Sequence, residues 1–497
     1  MIVGKSAVVN AHIALLLGVF YVALAGIGAD SIWNDEFMSL HFAGWPNRGL
    51  DFAQIFERIY ASPDHEAVTY YLMLSLWTQA AGWSVFSARL LSLFFGLLSV
   101  VFAYRIGCDL RSQSAGIAAA FLLGGSALLS VYLHETRMYS LWVLETVLLI
   151  WLYWRLSHFS WSRVYSIVFL LTLTAMLFTH PLAIALILAL GLYHLLLARR
   201  SGAWIWLLVL FIASVVVYAP AGLQSLAMAN EDAATGARTL AARDTVEFML
   251  DLGRGLSNGF GLFLLLPFLS LRHLRRDQGL RMLWFVGAVF LSIIFIAYLA
   301  TGFVSHTRYS LPILPIFALI GAIALTCAPI NRLAIALLLG AWCLAGLHSA
   351  PSFKVVFYHA QHQDVFHLSF PFEQLVSTIR RDASEGDAVV YEFPYHSWAL
   401  QGVFDYYMDG SDLRYVLSDT LRSAGAWKAT IERFEQFIDD ADRLYFVLDR
   451  TIRATDFVPE YERILGARFT YCERLWDTEQ ARVDKYALGQ AMCTADR

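Results

Sequence analysis

A mainly α, polytopic membrane protein with a small α/β domain at its C-terminus is what this sequence predicts. Three observations carry that expectation. Of 497 residues, 58% are hydrophobic and 15% charged, with a mean hydropathy of +0.56, whereas soluble domains hold about one quarter charged residues. The apolar residues gather in runs long enough to cross roughly 30 Å of hydrocarbon, which selects helices over the short alternating strands of a barrel. Past residue 350 charges become frequent and no run is long enough to span. A net charge of −4 without a basic tract argues against nucleic acid as a partner.

Residues 1–29 place Lys5 ahead of an apolar stretch, as a signal peptide would. The stretch is too long for one, and no small-residue cleavage pattern precedes Trp33, so it reads as an uncleaved first helix. Further apolar runs cover 67–83, 85–106, 113–133, 138–154, 162–179, 181–198, 203–221, 256–271, 281–303, 307–326 and 331–349. Lys and Arg in short loops set orientation. Lys5, Arg105 and Arg111, Arg155 and Arg163, Arg199 and Arg200, Arg272 through Arg281, and Arg332 share one side only if 67–83 does not cross. That run is short, holds Thr69, Ser75, Thr78 and Gln79, and follows Pro63-Asp64-His65-Glu66. It is therefore read as an interfacial helix within one outer loop, 30–84. The expectation is about eleven spans in a first domain, 1–349, with the N-terminus cytoplasmic. The second domain, 350–497, then lies outside.

Within that second domain, 372–383 reads as a helix and 387–393 as a strand after a Glu-Gly turn. Residues 430–439 read as another helix and 443–448 as a second strand. No phosphate-cradling glycine loop is present there, so nucleotide binding is not expected. The five cysteines show no metal-type spacing. Cys108, Cys327 and Cys343 fall in or beside apolar runs, and Cys472 can pair with Cys493 if their domain faces an oxidising space. No internal repeat is evident, which argues against the inverted-repeat transporters.

The polar residues of interest sort to one face. Trp33-Asn34-Asp35-Glu36-Phe37 sets two adjacent carboxylates just past the first apolar run, an expensive arrangement beside a bilayer. Either they cap a helix end in solvent, or one is a general base toward a hydroxyl and the other structural. Asp64, His65 and Glu66 follow, then Tyr132-Leu-His-Glu-Thr-Arg-Met-Tyr139, His180 before Pro181, the 222–255 loop, and His306, Arg308 and Tyr309. If 132–139 is helical, Glu135 and Tyr139 share one face and Arg137 is turned away. Arg137 then either stabilises the turn as an ion pair or clamps a phosphate with its paired donors. His180 is either a helix-end cap or a ligand, and Arg308 with Tyr309 either an interfacial anchor or a second phosphate contact. His65 and Glu66 allow a metal pair, an ion pair or a substrate contact. Adjacent positions rarely ligate one metal together and there is no His-x-x-x-His, so a metal is not favoured.

Taken together, these residues resemble the GT-C superfamily of membrane glycosyltransferases that use polyprenyl-phosphate sugars. The branch concerned holds the protein O-mannosyltransferases and the bacterial aminoarabinose and galacturonic-acid transferases of lipopolysaccharide. Asp35-Glu36 matches that branch's carboxylate pair in the first outer loop. His65 through Tyr70-Tyr71-Leu72 matches a basic residue before a Pro-Pro-Leu-Tyr-Tyr-type stretch. His134-Glu135-Thr136-Arg137-Met138-Tyr139 matches a Gln-Glu-Ala-Arg-x-Tyr-type turn, and Thr179-His180 a Thr-His pair. Arg308-Tyr309-Ser-Leu-Pro312-Ile-Leu-Pro315 matches an Arg-Tyr-x-x-Pro-x-x-Pro helix. The likeness covers about residues 8–330 and departs at Glu66-Ala67-Val68, where the family has Pro-Pro. It implies a GT-C-type helical domain in the plasma (bacterial inner) membrane, with the active site extracytoplasmic. Asp35 would be the general base of an inverting transfer. Glu36, His65, Glu66, Tyr70, Glu135, Arg137, Tyr139, His180, Arg308 and Tyr309 would bind substrate. The implied partners are a polyprenyl-phosphate sugar donor, a glycan, lipid or protein acceptor, and the lipid bilayer. Use of a divalent cation stays open. A transporter or flippase of lipid-linked sugars would instead carry polar groups at the midplane on broken helices. A non-catalytic assembly factor would leave the gathering of Asp35, Arg137 and Arg308 without purpose.

Overall fold

The computed structural model describes residues 5–28, 30–49, 51–61, 67–159, 161–236, 242–301, 307–366, 370–392, 398–421, 427–450 and 457–493. It divides into two compact units. One comprises Met1–Gly28 with Phe42–Ala360, the other Ala29–His41 with Gln361–Arg497.

Helices build the first unit. Helix α1 (Lys5–Gly26) leads to α2 (Asn34–Ala43), within which the division of units falls, and to α3 (Phe52–Ala61) and α4 (Val68–Ala81). Then come α5 (Val85–Leu110), α6 (Gln113–Gly124), α7 (Ala127–Leu133), α8 (Tyr139–His158), α9 (Arg163–Leu177) and α10 (Ala183–Leu196). Serines start four of these: the side chains of Ser84, Ser112, Ser126 and Ser162 accept from the backbone N–H three residues on, at the heads of α5, α6, α7 and α9. Such a cap satisfies one of the four donors that a helix start leaves without a partner. After α11 (Gly202–Gly236) and α12 (Ala242–Leu256) the chain makes two 3-10 segments, Gly261–Leu265 and Pro267–His273. It continues with α13 (Gln278–Thr301), a 3-10 turn at Thr307–Ser310, α14 (Ile313–Cys327) and α15 (Arg332–Phe366), within which the unit ends at Ala360. Helix α5 packs on α6 and α8, and α6 on α14.

Among the described residues, four helical stretches are long and apolar enough to cross a membrane: Val85–Leu110, Gly202–Gln224, Gln278–Ala300 and Arg332–Ala350. The number rises to six if each of two bent pairs is one span. The sequence expectation needs three corrections here. The run 113–133 is two helices bent by 60° at Gly125-Ser126. The run 256–271 is not a continuous helix but 3-10 turns set 86° from α12. The expected loop 222–255 is largely helical, in α11 and α12. Asn258 explains the first two. Its backbone is left-handed (φ 51°), a conformation in which asparagine is several-fold enriched. From there Oδ1 accepts from Ala127 N (2.9 Å), and Nδ2 donates to Gly125 O (2.8 Å) and Trp342 O (2.9 Å). One buried side chain thus satisfies the backbone groups that the break exposes and ties it to α15. Gly346 makes this possible, because a Cβ there would overlap Gly125 O.

The second unit is α/β. Helix α16 (Phe372–Asp382), strand β1 (Ala388–Glu392), α17 (Trp398–Met408), β2 (Arg414–Leu417), α18 (Ser418–Leu421), α19 (Trp427–Ile438) and β3 (Arg443–Asp449) are followed by α20 (Val458–Arg468), β4 (Thr470–Asp477), β5 (Ala481–Ala487) and α21 (Gln490–Cys493). The sheet order is β2-β1-β3-β5-β4. Strand β1 runs parallel to β2 and to β3, with Ala388 opposite Leu444, and β5 is antiparallel to both β3 and β4. β1 and β3 form near-continuous apolar runs, the mark of strands covered on both faces. One such face holds Val390, Phe434, Leu444, Phe446, Tyr461 and Leu465. Cys472 of β4 is disulfide-bonded to Cys493 of α21, with Cα atoms 5.3 Å apart.

Candidate active site

The site in the first unit is built at turns, where polar backbone and side chains escape the apolar helix interiors. Residues 134–138 form the turn between α7 and α8; the segment is not helical, so the expected pairing of Glu135 and Tyr139 on one helix face does not arise. The turn is held from below. Ser92 Oγ donates to Glu135 O at 2.6 Å, Tyr70 Oη lies 3.3 Å from that same hydroxyl, and Ser140 Oγ donates to Tyr132 O at 2.6 Å. Thr69 fixes the head of α4 on the end of α9, its N–H bonding to Phe178 O (3.1 Å) and its hydroxyl to Ala175 O (2.9 Å).

The Thr179-His180-Pro181 turn after α9 brings in the histidine. Its ring stacks on Trp142 at 4.2 Å and 8°, with Tyr309 5.6 Å and Tyr139 6.3 Å away. Tyr132 meets Tyr139 at 4.9 Å. Two guanidiniums face the same aromatic group: Arg137 lies 5.9 Å and Arg308 5.8 Å from the Tyr139 ring, and Arg308 5.4 Å from Tyr309. At such distances a cation is attracted to the ring face. Glu135, Arg137, Tyr139, His180 and Arg308 are all buried, as is Tyr70.

Burial, together with the positive charges of Arg137 and Arg308, pushes the His180 imidazole down to about 3. The ring is therefore neutral at physiological pH. Its Nδ1 accepts from Leu182 N at 3.1 Å, so the hydrogen sits on Nε2. Among the described residues that Nε2–H has no hydrogen-bond partner, and neither do Trp142 Nε1 or the Tyr132 hydroxyl. Buried donors without partners are rare in native folds. Here they lie in one cluster with two cations, which suits an oxygen-rich anion.

Of the expected site residues, the structure gathers Glu135, Arg137, Tyr139, His180, Arg308 and Tyr309, with Tyr70 joined through Ser92. His65, Glu66 and His306 lie outside the described residues. Asp35 and Glu36 belong to the second unit, where both are buried at the head of α2. The sequence marks Tyr132 only as the start of a polar stretch and gives no role to two further participants, Trp142 and Glu145. Glu145 is buried in α8 and accepts from Thr179 Oγ1 at 2.9 Å. A signal for the last two existed, since Tyr139, Trp142 and Glu145 recur every three residues and a carboxylate within an apolar helix is costly unless used. Among the described residues no group of three His, Cys, Asp or Glu side chains could hold a metal ion.

No protein-family model and no curated protein matches this chain. Solved structures do. ArnT from Cupriavidus metallidurans in the apo state aligns over 97% of this chain and 99% of its own, at 12% identity and a TM-score of 0.57. The same protein bound to undecaprenyl phosphate gives 13% identity and the same TM-score over 95% and 97%. The arabinofuranosyltransferase AftD from Mycobacteria aligns at 12% identity over 98% of this chain but 40% of its own, with a TM-score of 0.51. This chain has the GT-C fold. The alignment with ArnT runs through nearly the whole of both chains, so the GT-C fold here includes the C-terminal region as well as the helices that carry the turn cluster.

Proposed function

We propose that this chain is a membrane glycosyltransferase. It moves a sugar from a polyprenyl-phosphate-linked donor to an acceptor hydroxyl on the extracytoplasmic face, with inversion at the anomeric carbon. The observation that carries this reading is the turn cluster: Arg137, Arg308 and the neutral His180 with its Nε2–H, buried around Tyr139. A polyprenyl phosphate leaves as a dianion and needs positive charge and donors rather than a proton. ArnT, of the same fold, has been solved with undecaprenyl phosphate bound, which supports a lipid phosphate as the ligand.

Asp35 is the general base. It takes the proton of the acceptor hydroxyl as that oxygen forms the new bond to the anomeric carbon. The bond from that carbon to the phosphate oxygen breaks, and its electron pair leaves with the polyprenyl phosphate. Arg137 and Arg308 meet the charge, and His180 donates one hydrogen bond. Tyr139, Tyr309, Tyr70 and Glu135 shape and hold the pocket, and Glu36, His65 and Glu66 contact substrate from the first loop. Two features support the extracytoplasmic face: if 67–83 does not cross, the basic residues fall in the loops of the opposite side, and the Cys472–Cys493 disulfide belongs in an oxidising space.

The test is turnover in detergent of a panel of polyprenyl-phosphate sugars, with membrane extract as acceptor source, comparing wild type with Asp35→Asn. Release of polyprenyl phosphate by the wild type, reduced at least about 10²-fold in the variant, is expected. Equal release by Asp35→Asn would remove it as base. Binding without consumption of any donor would contradict the transferase reading and favour a lipid-linked-sugar carrier.

A further inference from the structure

The second unit contains more than the C-terminal α/β fold: it includes the carboxylate-bearing segment Ala29–His41. Three contacts fasten that segment. The Ile32 N–H donates to the Tyr407 hydroxyl of α17 at 2.8 Å. Glu373 N at the head of α16 donates to Ser31 Oγ at 3.0 Å. The Phe37 ring lies directly on Gly402, in the middle of α17, so close that a Cβ at 402 would overlap the ring carbons. Ile32 and Phe37 bracket Asp35 and Glu36, and both are buried, at 0% and 3% exposure.

Glycine inside a helix costs about 1 kcal/mol relative to alanine. At 402 the exchange is a close approach of an aromatic ring to helix backbone. The 402 position therefore serves the 31–37 segment at the expense of its own helix. From these observations we infer that the C-terminal unit is a positioning device for the first-loop carboxylates. Gly402 and Tyr407 are its positioning residues: one seats Phe37 on the far side of the carboxylate pair, the other fixes the backbone on the near side. The catalytic consequence rests on the assignment of Asp35 as base; the seat itself does not.

The experiment is hydrogen exchange by mass spectrometry on the full chain, alongside donor turnover, for Gly402→Ala, Tyr407→Phe, Phe37→Ala and the Phe37→Ala/Gly402→Ala double variant. Gly402→Ala is expected to speed exchange of amides 32–39 about tenfold or more while leaving β1 and β3 within about twofold. It is also expected to lower kcat by about ten- to a hundredfold with KM for the donor held within about twofold, because misplacing a reacting group by about 1 Å costs that much. Tyr407→Phe acts in the same direction and less strongly. In the Phe37→Ala background Gly402→Ala adds nothing, the non-additivity that marks a direct contact. A purely structural glycine would give the reverse, since alanine stabilises a helix interior. Unchanged exchange in Gly402→Ala, or faster exchange with kcat intact, overturns the inference. Absence of wild-type turnover with faster exchange in the variant would defeat the transferase reading and leave the seat standing.

Discussion

The two units set their charged side chains in different surroundings. In the second, cations on the sheet end on carboxylates. Arg443 meets Asp387 at 2.9 Å, Lys485 meets Asp382 at 2.7 Å, and Arg474 meets Asp484 at 2.8 Å. In the turn cluster of the first, Arg137 and Arg308 face aromatic rings and a histidine they help keep neutral. A carboxylate-matched cation contributes to a scaffold and has little left to offer a ligand. In the turn cluster two guanidiniums lie over aromatic rings beside the buried donors of His180, Trp142 and Tyr132, a gathering of positive charge and N–H and O–H groups that suits an anion. The difference separates a part built to hold from a part built to bind.

Substitutions can break or sharpen that contrast. The largest effect is expected for Arg308→Ala, which should lower polyprenyl-phosphate release by about 10²–10³-fold with the thermal midpoint little changed. Arg137→Lys keeps the charge but loses the paired donors, and should lie between wild type and Arg137→Ala in the same assay. Asp387→Ala is the opposite case. Asp387 holds Arg443 and accepts from Ser384 N at 2.8 Å. Its loss should destabilise the second unit by about 1–3 kcal/mol in denaturant titration, because it takes the carboxylate from a partly buried guanidinium. If Arg308→Ala instead unfolds the protein and leaves residual activity normal, the contrast fails.

A smaller, pH-dependent effect comes from His180. Its folded value, about 3, lies below the ordinary histidine value, so the unfolded chain binds the extra proton. Stability from this group is complete above about pH 6.5 and is lost as pH falls toward 3, by roughly 2 kcal/mol at pH 5. His180→Gln should flatten that part of the stability–pH curve measured by thermal unfolding. The same slope in variant and wild type would place the acid loss elsewhere.

Much of the helical frame and of the turn cluster was legible in the sequence. Arg137, Tyr139, His180 and Arg308 stood out because polar groups at the ends of apolar runs have few bland uses. Strands β1 and β3 were visible as short apolar runs after turn signals. The bends at 125 and 258 were not, because Asn258 acts through contacts 84 to 133 residues away in sequence, and no local pattern encodes that. Helix α12 escaped for a related reason: an amphipathic stretch rich in charge reads as loop until its partner is known. Strands β4 and β5 carry charges such as Arg474, Asp484 and Lys485 whose cost is met by partners across the sheet. Gly402 gave no signal at all, since its meaning lies in Phe37, 365 positions earlier.

The most direct measurement is binding of undecaprenyl phosphate and of the uncharged undecaprenol to purified protein, wild type against Arg308→Ala. The wild type should prefer the phosphate by about 10²-fold or more, and the variant should lose that preference while binding undecaprenol as before. Equal affinity for the two lipids in the wild type, or an undiminished preference in Arg308→Ala, would contradict it.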